Sequence, residues 1–200
     1  MGWLRSSKII ASLILGALLL VAIVLWTLSI SSHEDWQYSV LYTDLPEVSG
    51  LQSHGSSIYV TFETRNYDGK LVSIVDGNRS TVVSGLQKPD GLTTSLGSLV
   101  YTQEFGESPV YEVINGVPRG LFITDCAEGI DSTLNGDLYV IEDRLGGRVL
   151  KYERSTGKIS ELATDLESGE GICAMESGVV YFSERDKGIV YKIQDGEISE

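Results

Sequence analysis

Two kinds of hydrophobic pattern divide the chain. From Ile9 to Ile30 the sequence runs for 22 residues without a charge. After Trp36 no helical period is sustained, and apolar residues alternate with polar ones over short stretches, the mark of half-buried strands. Ile58-Tyr59-Val60, Leu99-Val100-Tyr101, Leu138-Tyr139-Val140 and Val179-Val180-Tyr181 are such stretches. Each follows a glycine pair: Gly50-Leu51, Gly91-Leu92, Gly129-Ile130 or Gly171-Ile172, at spacings of 41, 38 and 42 residues. A third apolar stretch comes next in each repeat, at 70–75, 110–114, 148–152 and 188–193. The dipeptides Asp76-Gly77, Asn115-Gly116 and Asp195-Gly196 then mark hairpins. A fourth stretch, such as Lys158 to Leu162, leads to the next glycine.

Four short antiparallel strands every ~40 residues describe a β-propeller blade. The expected fold class is all-β, with a propeller over 37–200 and blades at about 50–90, 91–128, 129–170 and 171–200. Residues 39–45 line up with 160–166, so 37–45 read as a lone outer strand that arrives before any blade. Such a strand closes a ring by completing its last blade, yet the fourth repeat begins an outer strand of its own at Glu197 to Glu200. The expectation is therefore a six-bladed parent, truncated here by about two blades. A four-bladed ring is the alternative.

The uncharged stretch would measure about 33 Å as a helix, enough for a hydrocarbon core of about 30 Å. Arg5 and Lys8 precede it, while Glu34 and Asp35 follow. The positive-inside rule predicts cytoplasmic residues 1–8, a transmembrane helix over 9–30 and a juxtamembrane linker over 31–36. The propeller then lies outside the cytoplasm, in the periplasm of a bacterium. A cleaved signal peptide is the competing reading, but its apolar region usually runs only about 7–15 residues.

Charge narrows the function. Beyond residue 8 the chain carries 13 basic against 28 acidic residues. Such a surface repels phosphate backbones, so no nucleic-acid partner is expected. Two cysteines and two histidines are too few for a Cys/His zinc site. His33 beside the membrane and His54 in a turn leave little for a Ser-His-Asp hydrolase. Cys126 and Cys173 could lie on neighbouring inner strands and form a disulfide, or remain free thiols.

The acids themselves are regular. Glu63, Glu104, Glu142 and Glu184 end the four second strands, each 13 residues after its repeat glycine. The residue before each glycine is Ser49, Asp90, Glu128 or Glu170. Blade geometry is expected to bring both sets to one mouth of the channel. A ring of carboxylates suits a hard cation such as calcium, which takes about 6–8 oxygen ligands. The four recurring glutamates read first as structural, accepting backbone hydrogen bonds at turns. For Asp90, Glu128 and Glu170, closest to the axis, structural and metal-binding roles stand level.

The run Glu128-Gly129-Ile130, with Asn135-Gly136-Asp137-Leu138-Tyr139-Val140-Ile141-Glu142 and Gly147-Arg148-Val149-Leu150-Lys151-Tyr152, resembles repeats of the gluconolactonase and strictosidine-synthase-like superfamily. It is also similar to repeats of streptogramin lyase and NHL proteins. The resemblance covers 37–200 and implies the propeller fold. In gluconolactonase-like members, acids and asparagines from inner strands hold a channel calcium. By that resemblance Lys88-Pro89-Asp90-Gly91 matches the ligand-bearing Pro-Asp-Gly, and Glu128-Gly129 and Glu170-Gly171 match Glu-Gly. No asparagine precedes a repeat glycine, and no histidine occurs after His54 for a streptogramin-lyase-like reaction. Strictosidine-synthase-like proteins include members with an N-terminal anchor. The expected function is a membrane-anchored propeller that binds a small molecule or protein at one face. The alternative is a calcium-dependent lactone or ester hydrolase.

Overall fold

The computed structural model of the chain describes residues 36–64 and 68–200. The predicted cytoplasmic segment and transmembrane helix, 1–8 and 9–30, lie outside the described residues. Among those described, no helix is long and apolar enough to cross a membrane. Residues 44–200 form one compact unit.

Every regular element in that unit is a strand. Blade 1 contains β1 (Val48–His54), β2 (Ser57–Phe62), β3 (Gly69–Val75) and β4 (Asn78–Leu86). Blade 2 contains β5 (Pro89–Ser95), β6 (Ser98–Gln103), β7 (Glu107–Ile114) and β8 (Val117–Asp125). Blade 3 contains β9 (Ala127–Ser132), β10 (Leu138–Glu142), β11 (Gly147–Tyr152) and β12 (Ile159–Leu166). Blade 4 contains β13 (Gly169–Ala174), β14 (Val180–Glu184), β15 (Ile189–Gln194) and β16 (Glu197–Ser199). Each blade is a four-stranded antiparallel sheet in simple sequential order, so local hairpins suffice to build it and the arrangement is propeller-like.

Apolar faces stack blade on blade. Leu71, Val83, Leu92, Leu99 and Tyr101 fill the space between blades 1 and 2. Val100, Val110, Phe122, Ile130 and Val140 do so between blades 2 and 3. Tyr139, Ile141, Val149, Leu166 and Phe182 do so between blades 3 and 4. Alternate residues of one strand therefore serve opposite interfaces, as Tyr139 and Val140 show, which follows from the two-residue period of a strand.

The repeat glycines are the third residues of β1, β5, β9 and β13, and a register shift marks each of them. At three of them, Gly50, Gly91 and Gly129, the need for glycine is steric. A methyl group on Gly129 would lie 2.6 Å from the Glu170 carbonyl oxygen of the next blade. On Gly50 and Gly91 it would collide with the carbonyl oxygens of Asp90 and Glu128. Only a missing Cβ lets adjacent inner strands approach this closely. Thr61 adds a stitch across the first gap: its Oγ1 accepts from Gly50 N–H at 2.6 Å and donates to the Asp90 carbonyl at 2.9 Å.

The outer strand expected over 37–45 is not formed, since residues 36–46 take no regular structure. Each of the four sheets has its own outer strand, β4, β8, β12 or β16.

Candidate functional site

The inner strands start at one end of the row of blades, the mouth, and the second strands end there. Pairing fixes which residues are equivalent. Val48 faces Phe62, Pro89 faces Gln103, Ala127 faces Glu142 and Gly169 faces Glu184. Phe62, Gln103, Glu142 and Glu184 are thus one structural position. The next position holds Glu63, Glu104, Asp143 and Arg185, whose N–H groups donate to the carbonyls of Glu47, Lys88, Cys126 and Ser168.

The four glutamates expected to be alike therefore split into two pairs. Glu142 and Glu184 lie at blade interfaces, away from the mouth. Glu142 is fully buried. It accepts from Asp125 N–H at 3.0 Å and takes a two-pronged contact from Arg148 at 2.9 and 2.7 Å. Glu184 accepts from Glu167 N–H at 2.7 Å and from Lys187 at 2.9 Å. Burial alone would raise its carboxyl, but these two donors outweigh burial and hold it below the ordinary range. In blade 2 the side-chain amide of Gln103 does the same job, accepting from Gln87 N–H at 2.7 Å. Blade 1 has Phe62 there, and the residue it would cap is Pro46, which has no N–H to satisfy.

Glu63 and Glu104 do reach the mouth, one residue further along. Glu63, Asp90 and Glu104 bring carboxylate oxygens within 4.8 Å of one another, and so do Glu104, Glu128 and Asp143. Asp143 belongs to the site, though the spacing from the glycine concealed it. Aligning the apolar triplets Ile58-Tyr59-Val60 and Leu138-Tyr139-Val140 would have placed it opposite Glu63. Glu170 stands at the edge of the group, where Arg185 bridges it to Asp143 at 2.8 and 3.2 Å.

Two basic groups flank the cluster. Lys88 Nζ contacts Glu104 and lies 3.4 Å from Glu63. Burial disfavours its charge, but Glu104 and Glu63 more than compensate and hold the ammonium above its ordinary value. Between Lys88 and Arg185 sits the Asp90–Glu128 pair. Burial first, then the neighbouring carboxylates, pushes Glu128 up to about 9. Burial likewise raises Asp90 to about 6, although a hydrogen bond from Glu128 opposes the rise. Burial and mutual repulsion together favour a proton held by the pair. Glu128 Oε2 is fully buried and has no hydrogen-bond partner among the described residues.

That orphaned oxygen and the all-oxygen donor set fit a hard cation. Asp90, Glu104, Glu128 and Asp143 would hold it, with Glu63 and Glu170 at the flanks. Among the described residues the clustered donors are all carboxylates, which suit a hard cation better than zinc. His54 ends β1, six positions past Val48, and so stands roughly 20 Å from the mouth.

The two cysteines are free. Cys126 stands just before β9 at the mouth, in the place that Ser168 takes in the next blade. Cys173 is five positions beyond Ser168 along β13, roughly 16 Å further on. A disulfide needs Cα atoms within about 7 Å, so of the two alternatives, a disulfide or free thiols, strand position agrees with free thiols.

No known family profile matches the sequence, and no curated protein does. Solved structures match its fold. A streptogramin B lyase is 19% identical, with a TM-score of 0.62 over 78% of this chain and 55% of its own. A putative gluconolactonase is 14% identical, with a TM-score of 0.65 over 79% of this chain and 63% of its own. A gluconolactonase from Xanthomonas campestris is 12% identical, with a TM-score of 0.67 over 80% of this chain and 63% of its own. The chain thus spans less than two thirds of the length of each. These are the gluconolactonase-like and lyase-type β-propellers that the repeats resemble, and at such identities the likeness establishes the fold.

Proposed function

We propose that the channel mouth binds a calcium-like divalent cation, and that the chain is a cation-dependent ligand-binding propeller held at a membrane by residues 9–30. The observation that carries this reading is Glu128. A carboxyl with one oxygen buried and unpartnered, surrounded by other carboxylates, is unfavourable unless something positive joins it. A divalent ion would displace the proton, draw on Asp90, Glu104 and Asp143, and relieve the repulsion. The membrane anchor rests on the uncharged stretch and its flanking charges.

A second reading is a calcium-dependent lactone or ester hydrolase, favoured by the fold shared with gluconolactonases. A bound cation there would supply Lewis acidity toward a carbonyl oxygen. The chain's own contribution would be the Asp90–Glu128 pair, which holds an exchangeable proton at the mouth. Calorimetric titration of the full chain with calcium tests both readings. The expected result is saturable binding that the Glu128→Gln/Glu170→Gln double variant loses. Unchanged calcium affinity in that variant would remove the cation assignment. If binding holds, lactone hydrolysis that tracks calcium occupancy would decide for the enzyme.

A further inference from the structure

Three equivalent groups lie side by side around the mouth, each between neighbouring blades. The first is Glu63, Asp90 and Glu104; the second is Glu104, Glu128 and Asp143. The third is Asp143, Glu170 and Arg185, in which the guanidinium itself takes the place of the last acid. The two outer groups therefore contain a cation supplied by the chain: Lys88 in the first and Arg185 in the third. The middle group contains none of its own. Its outer members are each drawn outward, Glu104 by Lys88 and Asp143 by Arg185. Only Glu128 faces the middle without a basic partner, and its Oε2 is the buried atom with no hydrogen bond.

Lys88 reaches this position through its backbone. It has φ +43°, in the left-handed region that non-glycine residues seldom occupy. Glu47 and Cys126 at the equivalent positions of blades 1 and 3 are also left-handed, at φ 32° and 53°. The conformation is shared by blades 1 to 3, where the carbonyl at this position accepts the second strand's N–H; Ser168 in blade 4 makes the same bond without a positive φ. The lysine is what blade 2 adds. Of Glu47, Lys88, Cys126 and Ser168, it alone is a cation.

Resting on the cation reading above, we infer that Lys88 is a tethered counter-cation that holds Glu104 while the middle group is empty and is pushed off it when a divalent cation enters. The ammonium and the metal compete for the same carboxylate. Lys88 thereby stabilises the metal-free mouth and weakens metal binding, and it confines the metal to the middle group. Removing one positive charge a few ångströms from the ion should strengthen binding by about tenfold.

The test is calcium titration of the full chain as wild type, Lys88→Met and Lys88→Arg, with thermal melts to confirm that each variant folds. Lys88→Met should bind calcium about tenfold more tightly, with a second ion entering at the vacated Glu63/Asp90/Glu104 group at higher concentration. Lys88→Arg should stay within about twofold of wild type, because the charge is kept. A second readout is independent of affinity. Calcium should speed modification of the Lys88 amine by an acylating reagent, mapped by mass spectrometry, as the amine leaves Glu104. Calcium binding in wild type with equal or weaker affinity in Lys88→Met overturns the role of Lys88 alone. Unchanged Lys88 labelling on calcium addition does the same. Failure of both wild type and Lys88→Met to bind calcium overturns this role and the cation reading together.

Discussion

Blades 1 and 2 differ from blades 3 and 4 by one residue, and that residue decides what a glutamate does. In the first two blades the inner hairpins turn over Gly55-Ser56 and Leu96-Gly97. In the last two they turn through five-residue loops, Thr133 to Asp137 and Met175 to Val179, each closed by the same pair of backbone hydrogen bonds. The longer loop uses one more residue between the repeat glycine and the facing strand. A glutamate 13 residues after the glycine therefore arrives one position earlier in blades 3 and 4. Because side chains alternate faces along a strand, one position means the opposite face. Glu63 and Glu104 meet at the mouth, while Glu142 and Glu184 clamp the blades together. Equal spacing in sequence concealed two different roles.

Stability should register that difference, and the largest effect is expected at Glu142. Glu142→Leu removes the buried partner of Arg148, leaving it Glu161 at 2.9 Å, and leaves Asp125 N–H without an acceptor inside the blade interface. Breaking such a buried pair costs about 3 kcal/mol, read as a lowered urea midpoint. Glu142→Gln should cost only about 1 kcal/mol, because Gln103 fills the same place in blade 2. Equal losses in the two variants would mean that the clamp is packing and not hydrogen bonding. Blade 1 supplies the converse. Phe62→Gln should destabilise by about 2 kcal/mol, since Pro46 offers its new oxygen no N–H. The double variant Pro46→Ala/Phe62→Gln should recover part of that loss, and strict additivity would refute the pairing.

Much of this was legible in the chain. The repeat glycines marked the inner strands, and at Gly50, Gly91 and Gly129 the reason is the close approach of the next inner strand, which excludes a Cβ. Asp90, Glu128 and Glu170 were legible as mouth residues because each is tied to its glycine by one peptide bond, so no loop length intervenes. Asp143 was missed, and Glu142 and Glu184 misplaced, because they follow their glycines by 14, 13 and 13 residues with a hairpin between. Loop length is a local choice that apolar alternation does not report. The cysteines make the same point along the strand axis: a place on neighbouring inner strands would not by itself bring them together, and Cys126 stands just before β9 while Cys173 lies well along β13.

At the mouth, the comparison turns on pH. Glu128 is held at about 9, above its ordinary 4.5, so the folded chain grips that proton more tightly than the unfolded chain. Such a group stabilises the fold below its unfolded value, and the benefit is lost as pH rises towards 9. Glu128→Gln keeps a neutral, hydrogen-bonding side chain. It should leave the melting temperature unchanged near pH 4 and raise it by roughly 3–6 °C near pH 9 in metal-free buffer. Glu184 has the opposite sign. Its depressed carboxyl stabilises above the ordinary 4.5, and that benefit should fade as pH falls below it. A parallel pH response of Glu128→Gln and Glu184→Gln would erase the distinction between mouth and clamp.

The smallest stability effect should come from Glu63, the acid most like Glu142 by count from its glycine. Its carboxylate pairs with Lys88 at 3.4 Å, and both side chains are about one third exposed, at 31% and 33%. An exposed pair of that kind contributes about 0–1 kcal/mol, further weakened by salt. Glu63→Gln should therefore shift the unfolding midpoint by under about 0.5 kcal/mol, several times less than Glu142→Leu. It should nonetheless alter the mouth, since losing one of Lys88's two carboxylates leaves the ammonium to bear on Glu104 alone. Calcium affinity should then fall by about twofold to fivefold through stronger competition at Glu104. A loss of stability comparable to Glu142→Leu would place Glu63 in the clamp after all. It would restore the equivalence that the sequence spacing suggested and the strand pairing denies.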